Sequence, residues 1–168
     1  MFTRIFILFF LPLSACSFSI NDLSGNFTGK VVGIKDGDTF EIMLGGEAET
    51  IRLAHIDCPE KSQPYGKKAK QFASDLCFGK EVIVISTEKD RYNRLIAIVY
   101  LKDGTNVNKE LVKAGLAWHY RQYSNDPSYS FLEASARNGK KGLWVEKDAT
   151  APWEWRKRKR KPKRTEAY

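Results

Sequence analysis

The chain has 168 residues, with 42% hydrophobic and 29% charged side chains. That is enough apolar material for one domain's core and too much charge for a polytopic membrane protein. The net charge is +8, from 28 basic and 20 acidic residues; since eight of the nine residues from Arg156 to Arg164 are Lys or Arg, the body is balanced and the C-terminal run carries the excess.

Residues 1–15 read as an export address. Arg4 precedes the apolar run Ile5–Leu13, and small residues follow. The run is too short to span a bilayer and suits the apolar region of a signal peptide. Leu13-Ser14-Ala15-Cys16 resembles the lipobox of bacterial lipoproteins, with cleavage before Cys16 and lipidation of its thiol. The expected location is a lipoprotein anchored in the bacterial envelope; cleavage nearby with a secreted or periplasmic product is the alternative. Residues 16–25 form a linker, 26–150 the folded domain, and 151–168 a tail expected to be disordered through self-repulsion. A cationic tail attracts polyanions, whether nucleic acid or anionic lipid.

Asn26–Lys35 is rich in β-formers and ends at Asp36-Gly37, a turn signal. Thr39–Leu44 alternates as a half-buried strand, and Gly45-Gly46 suits a hairpin. Thr50–Ile56 is predicted as a third strand, stopped by Pro59. Lys67–Phe78 carries Ala69, Phe72, Ala73, Leu76 and Cys77 at helical spacing, with Gly79 at the expected C-cap. Glu81–Thr87 and Leu95–Leu101 are apolar strands joined by a charged loop. Asn108–Ala114 reads as a short helix and Leu116–Tyr120 as a short edge strand. Asp126-Pro127 supplies an N-cap and a first-turn proline for a helix to about Asn138. Five strands, one inserted helix and later helices predict an α+β domain: a five-stranded Greek-key barrel with about three helices.

Five side chains are candidates for chemistry. Asp38 follows a strand-ending turn, Arg52 lies on the third strand, Asp57 and Glu60 flank Cys58-Pro59, and Arg94 ends the charged loop. Each alone has an ordinary reading as a turn, a strand end or a solvated cation. Together they are the parts of phosphodiester hydrolysis. Two Asp carboxylates, a main-chain carbonyl and water make a hard-oxygen site suited to Ca²⁺, less well to Mg²⁺. Two guanidiniums can clamp a phosphate, and a third carboxylate can take a proton from water.

The segments Ile34-Lys-Asp-Gly-Asp-Thr-Phe40, Ile51-Arg-Leu-Ala-His-Ile-Asp-Cys-Pro-Glu60, Tyr65-Gly66, Asp90-Arg-Tyr-Asn-Arg94 and Val107-Asn108 to Leu116-Ala117 resemble the staphylococcal nuclease family in order and spacing. The resemblance covers roughly residues 28–146. It implies an OB-fold barrel and Ca²⁺-dependent endonucleolytic cleavage of DNA, RNA or both, leaving 3′-phosphates. It implies that Asp38, Asp57 and the Cys58 carbonyl hold one Ca²⁺, where the family often has Thr at the Cys58 position. Arg52 and Arg94 match the phosphate-binding arginines, Glu60 the general base, and Tyr92 an aromatic residue near the terminal phosphate. Two departures bear on substrate preference. The loop from Glu60 to Tyr65 is short, and the stretch Trp118–Tyr123 does not reproduce the base-stacking tyrosines in register. The expected partners are a nucleic-acid substrate and, through lipidated Cys16, a membrane; the protein is expected to be a monomer. A binding module that has lost its chemistry would not need all five groups in family order.

Cys77 lies on the apolar helix face and reads as a buried free thiol, although export would permit a disulfide with Cys58. His55 and His119 read as structural, since a hard-oxygen site needs no imidazole. On an extended strand His55 would point the same way as Asp57. Trp118 and Trp144 read as packing residues; Trp153 and Trp155 could stack on bases.

Overall fold

A computed structural model describes residues 25–160. The export signal, Cys16 and residues 161–168 lie outside the described residues.

The strands are β1 (Gly25–Asp36), β2 (Thr39–Leu44), β3 (Glu47–Leu53), β4 (Ile56–Asp57), β5 (Glu81–Lys89), β6 (Leu95–Leu101) and β7 (Trp118–His119). The helices are α1 (Gly66–Cys77), α2 (Val107–Lys113), α3 (Pro127–Asn138) and α4 (Pro152–Arg160), with a 3-10 turn at Gly142–Val145. Five strands close a barrel in the order β1-β2-β3-β6-β5, and β4 pairs with β7 in a separate ribbon. The predicted α+β barrel is therefore present.

Long β1 closes the barrel by pairing twice. Its first half runs antiparallel to β5 and its second half antiparallel to β2. β3 and β6 pair parallel, Ile51 against Leu95 and Leu53 against Ala97. Alternation drives the packing: every second residue of β6, Leu95, Ala97, Val99 and Leu101, is buried. Val31, Phe40, Ile42, Ile51, Val82 and Val84 fill the rest of the interior. Each such side chain contributes about 1.5–3 kcal/mol on leaving water. Ala69, Ala73 and Cys77 give α1 its buried stripe, and Leu111, Val112 and Tyr129 pack α2 and α3 on the same core.

Two expectations are corrected. The predicted third strand is broken: β3 ends at Leu53, and β4 begins at Ile56 after a turn in which His55 has φ 68°. His55 therefore does not lie on an extended run with Asp57; its ring packs 5.0 Å from that of Tyr129. The tail is not wholly irregular either, because Pro152–Arg160 form α4. Self-repulsion is overcome by anchoring. Pro152 is buried, Trp153 stacks on Tyr120 with centroids 5.3 Å apart, and Lys157 pairs with Glu154 at 2.8 Å.

Cys58 and Cys77 are both free and buried.

Candidate active site

The break after β3 builds the site. Asn108, itself fully buried, ties the bend to the barrel. Its Nδ2 donates to the Ala54 and Ala97 carbonyls at 3.0 and 3.1 Å, and its Oδ1 accepts from Val99 N–H at 3.0 Å. The chain beyond the bend turns back onto Arg52. Arg52 Nη1 donates to the Leu53 and Ile56 carbonyls at 2.9 and 3.0 Å, and Nη2 donates to Asp57 Oδ1 at 2.8 Å.

Asp38 reaches the same guanidinium from the β1–β2 turn, with Oδ2 3.0 Å from Arg52 Nη1. Cys58 N–H donates to that oxygen at 2.5 Å, and Thr39 Oγ1 donates to Asp38 Oδ1 at 3.3 Å. Gly37 lets the turn sit this close: a Cβ there would lie 2.8 Å from Ala69 Cβ and 2.9 Å from Cys58 Sγ. Burial pushes the Asp38 carboxyl up to about 8; Arg52 and the Cys58 N–H oppose that rise, while Asp36 and Asp57 add to it. Burial works against the charge on Arg52, but Asp38 and Asp57 outweigh it and raise its pKa.

Glu60 follows through Pro59 and stands at the mouth, its side chain 38% exposed. Gln63 fixes its backbone by accepting from Glu60 N–H at 3.2 Å and donating to the Thr150 carbonyl at 2.6 Å. A residue that the sequence reading assigned to the tail completes the network. Arg156 of α4 donates from Nη2 to Asp57 Oδ2 at 2.7 Å and from Nη1 to Glu60 Oε1 at 2.8 Å, with a longer contact to Asp57 Oδ1 at 3.3 Å. Burial disfavours its charge, but the bonds to Asp57 and Glu60 raise its pKa above the ordinary value.

Asp38, Arg52, Asp57 and Glu60 are thus brought together, joined by Arg156. Arg94 and Tyr92 stand apart, on a neighbouring cleft of roughly 600 Å³ that they line with Lys35, Asp36 and Thr39. Arg94 pairs with Asp90 through Nε at 2.8 Å and Nη2 at 2.6 Å, and Tyr92 is 62% exposed. Thr39 is the link between the two places: it lines the cleft, faces Arg52 in register and donates to Asp38. Asp90, Gln63 and Arg156 were not read from the sequence as site residues. The alternating Trp153-Glu154-Trp155 before the basic run was the available signal that the tail's start docks.

Among the described residues no three His, Cys, Asp or Glu side chains are arranged to hold a metal ion unaided. Two carboxylates do converge, at Arg52. Burial holds Asp38 above a carboxylate's usual range, against the pull of Arg52, so a further cation here would favour its ionised form. This oxygen pair fits a hard divalent ion that takes its other ligands from carbonyl and water.

The pattern of the staphylococcal nuclease homologue family matches residues 50–146, more than half of the chain. The chain belongs to the staphylococcal nuclease family. A protein of Escherichia coli O157:H7 described as an uncharacterized endonuclease is 44% identical over 150 residues, covering 89% of this chain and 98% of the relative. One of Haemophilus influenzae with the same description is 42% identical, covering 92% and 83%. A micrococcal nuclease of Shigella flexneri is 39% identical, covering 79% and 82%. The chain is accordingly a nuclease, a hydrolase whose substrate is nucleic acid, in a family whose nucleases are generally metal-dependent. The family match ends at residue 146, so helix α4 lies beyond it.

Proposed function

We propose that this nuclease is an exported, Ca²⁺-dependent endonuclease of DNA, RNA or both that leaves 3′-phosphates. The observation that carries this reading is the convergence of Asp38 and Asp57 on one guanidinium, 3.0 and 2.8 Å away, with Glu60 at the mouth beside them.

Asp38, Asp57 and the Cys58 carbonyl would hold one Ca²⁺, which when bound supplies positive charge to the phosphate oxygens. Arg94 anchors the phosphate from the neighbouring cleft, and Tyr92 lines its approach. Arg52 serves the phosphate from behind the carboxylates it orients. Glu60 takes a proton from the attacking water. The water oxygen bonds to phosphorus, the bond to O5′ breaks, and the departing O5′ takes a proton from solvent water to become a hydroxyl. The products are a 3′-phosphate and a 5′-hydroxyl.

The export signal of residues 1–15 and the lipobox ending at Cys16 support an envelope lipoprotein. The test of that address is incorporation of labelled fatty acid, lost in Cys16→Ala. The catalytic reading is tested by digesting DNA and RNA in parallel with Ca²⁺ and with a chelator. Chelation should abolish cleavage, and Glu60→Gln and Arg94→Ala should each lower turnover at least about a hundredfold. Near-normal rates in both variants would remove this assignment.

A further inference from the structure

Helix α4 brings a guanidinium onto the carboxylates that the proposed metal would use. Arg156 lies 2.7 Å from Asp57 Oδ2 and 2.8 Å from Glu60 Oε1, so one planar cation bridges the two acids. The seat is not incidental to a solvated tail. Trp153, three residues earlier, stacks on Tyr120 at an interplanar angle of 2° and meets Trp118 edge-on at 5.7 Å. Pro152 is buried, and Lys159 Nζ donates to Ser62 Oγ at 2.6 Å from the far end of the helix.

Asp57 is 1% exposed, and both its oxygens are occupied, Oδ1 by Arg52 and Oδ2 by Arg156. Geometry adds a second constraint. An ion on Asp57 would need the Oδ2 that Arg156 Nη2 now holds at 2.7 Å, and two cations crowded on one carboxylate repel each other, so exchange is favoured over addition.

We propose that Arg156 is a built-in competitor for the divalent cation: α4 seats its guanidinium on Asp57 and Glu60, and metal loading requires it to leave that pair. The inference rests on the reading of Asp57 as a metal ligand. It makes α4, which lies outside the matched family region, a strap that keeps the carboxylates paired until metal arrives. Withdrawal of Arg156 would also free Glu60 for its proton-accepting role.

The test is calorimetric titration of Ca²⁺ alone into the full chain and into Arg156→Gln, Arg156→Lys and Asp57→Asn. Circular dichroism checks that each variant is folded. Arg156→Gln should bind Ca²⁺ at least about tenfold tighter, since one charge–charge competition is removed. Arg156→Lys, which keeps the charge and loses the planar fork, should fall between it and the parent. Tryptophan emission should change on Ca²⁺ addition to the parent chain as Trp153 shifts against Tyr120. Equal or weaker Ca²⁺ affinity in Arg156→Gln overturns the inference while leaving the metal reading intact. No Ca²⁺ binding by any form, Asp57→Asn included, removes the metal reading and the inference together.

Discussion

Arg52 and Asp57, five residues apart in sequence, meet at 2.8 Å because the chain folds back between them at a left-handed His55. An unbroken strand would have carried Asp57 away from its partner at about 3.3 Å per residue. The bend places a buried cation between two buried carboxylates, and the stability of the site follows from that pairing.

Arg52→Ala should therefore cost stability as well as activity. It takes from Asp57, 1% exposed, the guanidinium 2.8 Å from Oδ1, and from Asp38 the guanidinium 3.0 Å from Oδ2. Breaking a buried ion pair on one side costs about 3–5 kcal/mol. Urea unfolding should show that loss, and Arg52→Lys should recover part of it.

Asn108→Ala should loosen the bend from a distance. Three hydrogen bonds to the backbone at Ala54, Ala97 and Val99 vanish, and buried backbone groups are left without partners. The expected cost is about 2–3 kcal/mol. Turnover should fall with it although Asn108 lies in the barrel's packing, and amide exchange at Ala54 and Val99 should quicken.

Gly66→Ala tests how α1 holds Glu60, the proposed general base, in place. A Cβ at residue 66 would collide with the Glu60 carbonyl. Either the helix start or the Glu60 loop must move, at about 1–3 kcal/mol for overpacking. The displacement falls on the proton-accepting step, so kcat should drop more than KM rises. A variant with unchanged kcat would show that the loop's position does not govern Glu60.

Most of the barrel was legible because its signals are local. Alternation in β2 and β6, the helical stripe of α1 and the Asp126-Pro127 cap each specify one element from neighbouring residues. The break at Ala54-His55 was not, because a lone His is a weak signal for the left-handed region; what holds the break is long-range, with Asn108 Nδ2 donating to the Ala54 carbonyl and Tyr120 N–H donating to the His55 carbonyl. The tail was misread for a similar reason. Counting charges finds repulsion among Lys157–Arg160, whereas the carboxylates that neutralise Arg156 are nearly a hundred residues away. Asp38, Arg52, Asp57 and Glu60 were found as a set by motif order, and their convergence appeared only once the chain was folded.

The two thiols give a pH-dependent check. Burial pushes Cys77 up to about 12 and raises Cys58 well above its ordinary value. Between pH 9 and 12 the folded chain therefore binds more protons at Cys77 than the unfolded chain does. Stability from this group is complete below about pH 9 and is lost as pH rises toward 12. The urea midpoint should fall over that range, and less steeply in Cys77→Ala. A thiol reagent at pH 8 should leave both cysteines unmodified until denaturant is added.

The most direct test of the account is diffraction from crystals grown with Ca²⁺, read by its anomalous signal. The account predicts one ion bounded by the carboxylates of Asp38 and Asp57, with the Arg156 guanidinium withdrawn from Asp57. An ion bound elsewhere, or none between those two carboxylates at saturating Ca²⁺, would contradict it.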